Sequence, residues 1–327
     1  MAIKSYIEAV TDGLLTEMRR DKRVFILGED VGVRGGVFRV TLGLMDEFGP
    51  ERVIDTPLSE SGIVGVAIGA ALHGMISIVE IQFVDFILPA VNQIISEAAK
   101  IRYRSAGDFH CPIVIRAPYG GGIHGALYHS QSMEALFTHI PGLKVVSPAM
   151  PGDVKGLLIS AIRDPDPVLF FEHKRCYRLI KGDVPEGDYI VPIGKAKVQR
   201  SGDDVTVISY GLTLHFALEA AEELADEGIS CHVLDLRTLL PLDRQAIIAA
   251  AIKTGKVLIV HEDNLTHGIG AEVAAIIAEE ALFELDAPIM RLCGPDIPAM
   301  PYSAPLENEY MLNPQRIADK IRELAAF

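Results

Sequence analysis

Short runs of consecutive apolar residues recur along the chain and set its predicted secondary structure. A continuous run, in contrast to strict alternation, is typical of a strand covered on both faces, and such strands form mainly parallel sheets. Stretches with helical spacing separate or follow the runs. The pattern therefore predicts an α/β fold. The predicted strands are 24–27, 53–56, 76–81, 113–117, 145–147, 168–171, 205–209, 231–234, 257–260 and 289–292, and the later helices are 212–227, 243–254, 270–285 and 314–326.

The series of predicted strands and helices is interrupted at residues 181–194. Gly, Pro and Asp are interspersed there, as is typical of a linker. At 327 residues the chain has the length of two ordinary domains. We predict a first domain over 1–186 and a second over 187–327, each a mainly parallel sheet flanked by helices. Residues 1–23 show the apolar spacing of an amphipathic helix with interspersed acids, which is unlike a signal peptide.

Charge and cysteine content exclude several classes of protein. The net charge of −14 disfavours nucleic acid as a partner, because phosphate contacts need clustered Lys and Arg. Residues 187–327 hold 22 acids and 11 bases, against 22 and 19 in the first domain, so the second domain favours either a basic partner or plain solubility. Four dispersed cysteines form no CxxC pair, which fits a reducing cytoplasm.

One carboxylate, Glu60, lies between an apolar strand and a helix without charged residues. No Asp, Glu, Lys or Arg occurs from residue 61 to residue 79. Burial there would favour the protonated acid, whereas the helix N-terminus would favour the carboxylate. Two structural alternatives stay open: Thr56 or Ser59 capping a helix that Glu60 merely begins, and a membrane span, which His73-Gly74 and the strand after them disfavour.

Four polar features follow predicted strands and are expected at one edge of the sheet, where ligands of open parallel sheets collect. They are Glu29-Asp30, Glu60, the segment 82–86 and the glycine loop 120–129. In segment 81–89, Phe83 and Phe86 either pack in the core or form a wall for a flat heteroaromatic ring.

The loop 120–125 formally satisfies GxGxxG, but no clear helix begins there and no acid follows about 20 residues on to bind a ribose. A nicotinamide site is therefore disfavoured. His124 and His129 lack acidic neighbours in sequence, which disfavours zinc. They are either polar loop residues or groups suited to proton transfer near neutral pH.

Five segments together resemble a known family: GEDVG at 28–32, DTPLSE at 55–60, EIQFVDF at 80–86, HGALYHSQS at 124–132 and DLRTLLPLD at 235–243. The chain resembles the β subunit of the thiamine-diphosphate-dependent decarboxylase component of 2-oxoacid dehydrogenase multienzyme complexes, over essentially its full length. HGALYHSQS and FFEHKRCYR at 170–178 are most similar to the branched-chain, 2-oxoisovalerate type, which acts in branched-chain amino acid degradation.

The resemblance implies a transketolase-like pyrimidine-binding domain, a transketolase C-terminal-like domain and a set of site residues. The residue matching Glu60 would hydrogen-bond the cofactor's pyrimidine and promote loss of the thiazolium C2 proton, after which a 2-oxoacid loses carbon dioxide and its acyl group passes to a lipoyl group. His129 would donate or accept a proton. The implied cofactor contacts are Glu29, Leu58, Ser59, Glu60, Gln82, Phe86 and Pro89, and the implied substrate contacts are Phe83, Val84, Asp85, Phe86 and His129.

Metal binding and partners are also implied by the resemblance. A structural potassium ion would lie near Ile113, Ala161, Asp164 and Asp166. No GDG triplet occurs here, although thiamine enzymes usually hold Mg2+ and the diphosphate through that motif. The missing half is expected on an α subunit in an α2β2 tetramer that also completes the burial of Glu60. The dihydrolipoyl transacylase would dock through its subunit-binding domain.

Two alternatives to the 2-oxoisovalerate assignment stay open from the sequence. One is the β subunit of a pyruvate or acetoin dehydrogenase, because these substrates differ by few methylenes and each is worth only about 1–3 kcal/mol. The other is a non-catalytic subunit that docks partners through its acidic second domain.

Overall fold

The computed structural model describes residues 1–327, and these form two compact units. The first unit comprises 1–119 and 136–193, and the second comprises 120–135 and 194–327. The boundary near residue 193 lies within the segment 181–194, and the glycine loop belongs to the second unit. No helix of the chain has both the length and the apolar character that crossing a bilayer requires.

The strands agree with the continuous apolar runs to within a few residues at each end. The predicted α/β class is confirmed, and the structure adds short strands that the pattern did not indicate. The strands are β1 (Ala2–Ser5), β2 (Val24–Gly28), β3 (Val53–Asp55), β4 (Ile76–Glu80), β5 (Ile113–Tyr119), β6 (Lys144–Val146), β7 (Val168–His173), β8 (Lys181–Val184), β9 (Lys197–Arg200), β10 (Val205–Ser209), β11 (Cys231–Asp235), β12 (Thr238–Leu240), β13 (Val257–Asn264) and β14 (Met290–Gly294).

The helices lie between the strands, as expected for a sheet with crossover connections. They are α1 (Tyr6–Arg20), α2 (Leu44–Phe48), α3 (Glu60–Leu72), α4 (Ile101–Arg104), α5 (Glu134–Thr138), α6 (Pro151–Ile162), α7 (Cys176–Leu179), α8 (Gly211–Ala225), α9 (Arg244–Thr254), α10 (Ile269–Glu280), α11 (Ala304–Tyr310) and α12 (Pro314–Ala325).

In the first unit, six strands follow the order β6-β7-β5-β4-β2-β3 and every pair is parallel. Every residue of β2, β4, β5 and β7 is buried, which is why these strands read as continuous apolar runs. Because all six run in one direction, their carboxyl ends meet at one edge.

The N-terminus differs from its prediction as a helix over residues 1–23. Ala2–Ser5 forms β1, and α1 begins only at Tyr6, because Ser5 and Glu8 form a capping box. β1 pairs antiparallel with β8. The first four residues of the expected linker 181–194 are therefore a strand, and the remainder is irregular.

The second unit has a five-stranded sheet in the order β14-β13-β10-β11-β9. All of its pairs are parallel except β11 with β9 at the edge. Each unit thus has its own mainly parallel sheet, as the sequence predicts.

Candidate active site

Three neighbouring strands of the first unit, β2, β3 and β4, end where the predicted acids begin. Glu29 follows β2 directly, and Asp30 turns the chain away with a left-handed φ of 57°. Glu60 opens α3 after β3, and Gln82 follows β4. The parallel pairings bring these loops to one edge of the sheet.

Glu60 is buried within the single chain, with 8% of its surface exposed. We expected this burial to need a partner, but the helix start and its surroundings already provide most of it. Ser59 occupies the N-cap position without a side-chain hydrogen bond to the helix, so the capping alternative lacks its defining contact. The Glu60 carboxylate has no hydrogen-bond or ion-pair partner within the chain.

A second carboxylate lies beside it. Burial raises the pKa of Glu29, and the nearby charges of Glu60 and Asp30 raise it further. The Gln82 amide nitrogen donates to the Glu29 carbonyl at 3.5 Å. The structure therefore brings together Glu29, Glu60 and Gln82 at this edge of the sheet.

Segment 81–89 forms an aromatic surface next to this edge. It contains two 3-10 turns, Val84–Phe86 and Leu88–Ala90. The half-buried rings of Phe83 and Phe86 meet edge to face at 5.9 Å. Val84 is buried and Asp85 is half-buried.

Two further predicted contacts of the cofactor are exposed apolar residues. Leu58 is 76% exposed, and Pro89 is also exposed. Apolar surface beside a buried, unpartnered carboxylate suits a ligand that has a flat apolar face and one polar ring edge. An aminopyrimidine has both features, so the residues present fit that part of thiamine diphosphate.

The first unit also contains a buried charge network that the sequence did not indicate. Arg116 on β5 donates to Glu172 on β7 at 2.7 and 2.8 Å and to Glu80 on β4 at 2.6 Å. The Tyr177 hydroxyl donates to Glu172 at 2.5 Å. Burial raises the pKa of Glu80, with Arg116 opposing that change. The network ties together three strands, and Glu80 directly precedes the aromatic segment.

The glycine loop of the second unit carries both predicted histidines. His129 is half-buried and follows a 3-10 turn, Ala126–Tyr128. Backbone N–H groups of Gly121, Gly122 and His124 donate to the carboxylates of Glu262 and Glu307. These amides are the groups that would bind a pyrophosphate, so their use by carboxylates argues against the dinucleotide interpretation.

The residues predicted near potassium lie in the first unit, at the start of β5, near the end of α6 and in the loop that follows α6. The Cys111 N–H donates to the Pro165 carbonyl at 3.0 Å, and Ile113 begins β5. The Asp164 carboxylate lies 2.6 Å from Lys144 Nζ, and the Asp166 carboxylate lies 2.5 Å from Arg102 Nε. Because cationic side chains occupy both carboxylates, any potassium here would depend on backbone carbonyls, including that of Ala161.

A site for Mg2+ and a diphosphate is not found among the side chains. No group of three or more His, Cys, Asp or Glu side chains is placed to hold a metal ion. A bound diphosphate would therefore need its metal ion and its hydrogen-bond donors from another polypeptide.

Comparison with protein families matches both units to one pair of domains. Residues 4–180 match the family described as "Transketolase, pyrimidine binding domain", and residues 194–317 match "Transketolase, C-terminal domain". A solved structure titled "Split gene transketolase, inactive beta4 tetramer" has a TM-score of 0.80 over 98% of each chain at 23% identity, which shows the fold alone.

Three curated relatives are similar over nearly the whole chain. The 2-oxoisovalerate dehydrogenase subunit beta of Bacillus subtilis is 65% identical over all of both chains. The pyruvate dehydrogenase E1 component subunit beta of the same organism is 46% identical over all of both chains. The mitochondrial 2-oxoisovalerate dehydrogenase subunit beta 2 of Arabidopsis thaliana is 49% identical over 96% of this chain and 87% of that protein.

Proposed function

The chain belongs to the β subunits of the thiamine-diphosphate-dependent 2-oxoacid dehydrogenases, and we propose that it supplies the half of the active site that holds the cofactor's aminopyrimidine. The observation that carries this proposal is Glu60. It is a buried carboxylate without a partner in the chain, beside Glu29 and at the ligand-binding edge of a parallel sheet.

When bound, thiamine diphosphate supplies the carbon nucleophile and electron sink that decarboxylation of a 2-oxoacid requires. Glu60 would exchange a proton with the ring nitrogen of a bound pyrimidine, and its burial would keep that proton from bulk water. Gln82 orients the Glu29 segment through its 3.5 Å contact.

The remaining predicted residues divide by chemistry. Leu58, Ser59, Phe86 and Pro89 would line the apolar faces of the ring. Phe83, Val84, Asp85 and Phe86 face the substrate's side chain, and His129 gives or takes the proton that the reacting carbon requires.

A second polypeptide is needed for Mg2+ and the diphosphate. Helix α3 supports this, because its outward face is exposed yet uncharged: Gly62 and Gly65 lie there beside Val66, which is 62% exposed, and Leu72, which is 37% exposed. Such a surface favours close helix packing. We propose an α subunit in an α2β2 tetramer as its partner.

The preferred substrate is a branched 2-oxoacid. Within one organism, Bacillus subtilis, the relative named for 2-oxoisovalerate is 65% identical to this chain and the relative named for pyruvate is 46% identical, over the same full length. That difference favours 2-oxoisovalerate over pyruvate.

The acyl acceptor is a lipoyl group on a transacylase, which we place against the acidic second unit. Phe283 is 98% exposed and Leu282 is 55% exposed, and Glu279, Glu280, Glu284 and Asp286 lie close to them in sequence. Exposed apolar side chains with acids around them suit a partner that is basic and partly apolar.

A potassium ion bound by the carbonyls near Ala161 is proposed as a structural element.

The test is Glu60→Gln in the reconstituted tetramer, with the exposed Glu51→Gln as matched control. We expect Glu60→Gln to lose on the order of 10^2-fold or more in carbon dioxide release from 2-oxoisovalerate, since proton-transfer help of this size is removed. Glu51→Gln should keep its activity, and both should assemble. Near-normal turnover of Glu60→Gln, or full activity of an α subunit without this chain, would overturn the proposal.

A further inference from the structure

Two buried carboxylates of the second unit accept hydrogen bonds from backbone N–H groups of the loop 120–135. One oxygen of Glu262 accepts from the Gly121 N–H at 2.6 Å and from the Ser132 hydroxyl at 3.3 Å. Glu262 is 4% exposed and lies on β13. A single buried side chain thus joins two positions near opposite ends of the loop.

Glu307, on α11, holds the first turn of the loop. One of its oxygens accepts from the N–H groups of Gly122 and His124, each at 3.1 Å, and the other lies 2.5 Å from His124 Nδ1. Gly122 and His124 have positive φ values of 79° and 56°. Successive N–H groups in such a turn form a concave anion site, and here the anion is Glu307, which is 1% exposed.

Two other contacts fix the ends of the same loop. The Asp263 carboxylate accepts from the Ala135 N–H at 3.1 Å. A Cβ on Gly121 would lie 2.3 Å from the Met300 sulfur, so a side chain at that position would have to displace the end of the Met300 side chain. The loop is therefore held against the rest of the second unit by both packing and hydrogen bonds.

We propose that Glu262 and Glu307 are positioning residues that hold His129 in place for proton transfer. This inference depends on the proposed function, specifically on the role of His129. Glu307 binds the loop before His129, and Glu262 binds it on both sides of His129, so the two acids together fix the backbone that carries this side chain. A small displacement of a proton-transfer group lowers the rate steeply, because the reaction requires near-contact geometry.

If Glu307 holds the loop through its carboxylate, substitutions at this position should have graded effects on loop order and on rate. Hydrogen bonds from N–H to an ionised acceptor are about twice as strong as those between neutral groups. Glu307→Gln keeps one acceptor oxygen at the same position, whereas Glu307→Ala removes both. The glutamine variant should therefore lie between the wild type and the alanine variant in both loop order and rate.

The test combines hydrogen exchange with kinetics in the reconstituted α/β assembly. We expect Glu307→Ala to speed amide exchange in peptide 120–135 by tenfold or more and to lower kcat between about 10-fold and 10^2-fold, with KM within about threefold. Glu307→Gln and Glu262→Gln should show smaller changes of both kinds. The control is Glu309→Gln, on the same helix, whose exposed side chain pairs with Arg316 at 2.7 Å; it should change neither readout.

Unchanged exchange in both Glu307 variants would overturn the anchoring role. Faster exchange with unchanged kcat would overturn the positioning role. Failure of the proposed function has a separate signature: His129→Ala or Glu60→Gln would then retain normal turnover, whatever the exchange rates in the loop. If Glu307→Ala does not fold, the isosteric Glu307→Gln and Glu262→Gln decide the outcome.

Discussion

At the residue scale, two buried acids differ in how far their burial can be predicted from the sequence. The burial of Glu60 could be predicted from the sequence, because a lone acid followed by a helix without charged residues is a local pattern. Glu134 could not be found in this way. Its raised pKa comes from burial and then from the charges of Asp263 and Glu262, which are about 130 residues away in the sequence.

The pKa of Glu134 makes stability depend on pH. A carboxyl whose pKa is raised in the folded state binds more protons there than in the unfolded chain, so stability falls as pH rises above the ordinary value of 4.5. Glu134→Gln removes this loss. We expect the variant to gain stability relative to wild type with increasing pH, by about 1.4 kcal/mol for each unit of raised pKa.

Calorimetric melting of the reconstituted assembly between pH 5 and pH 8, at one protein concentration, would measure this difference. Burial raises the pKa of the neighbouring Asp263 to about 6, so this carboxyl is half ionised at that pH and its own contribution is complete only about one pH unit higher. The comparison from about pH 7 to about pH 8 therefore reports Glu134. A constant difference between variant and wild type over that range would contradict the prediction.

At the scale of elements, continuous apolar runs located the main strands of both sheets well, because burial on both faces leaves a simple signature. The short strands β1 and β8 were missed. They are separated by about 180 residues and are partly exposed, so neither has that signature. The start of α1 was a missed local signal, since Ser5 and Glu8 have the spacing of a capping box.

The buried charge network around Arg116 joins β4, β5 and β7, and its contribution to stability can be tested. Arg116→Met should destabilise the protein by about 3–5 kcal/mol, because Glu80 and Glu172 would remain buried without their cation. Urea unfolding of the assembled protein at neutral pH measures the change. Arg104→Met, which breaks only an exposed pair with Glu97, is the control and should cost under about 1 kcal/mol. Equal costs for the two variants would show that the network contributes little.

At the scale of the whole molecule, the loop 120–135 was the least predictable feature. The sequence placed it after a strand of the first domain, but its anchors are Glu262, Asp263 and Glu307, up to about 185 residues further on. Contacts at such separation leave no local pattern. The charge difference between the two halves, by contrast, was visible from composition alone.

That charge difference predicts how the transacylase binds. If the acidic second unit provides the docking surface, raising salt from about 50 mM to about 500 mM should weaken the affinity of the transacylase's subunit-binding domain for the assembled tetramer, since exposed charges are screened within about 10 Å at 0.1 M. Titration calorimetry at several salt concentrations measures this. An affinity that does not change with salt would instead favour a mainly apolar dock.

The role of Glu60 is tested most directly by the rate at which the cofactor's C2 proton exchanges for deuterium in the reconstituted tetramer. Acid quenching followed by proton NMR gives this rate before any substrate is added. Glu60→Gln with the cofactor fully bound is expected to exchange on the order of 10^2-fold more slowly than wild type. Equal exchange rates in the two proteins would contradict the assignment of Glu60.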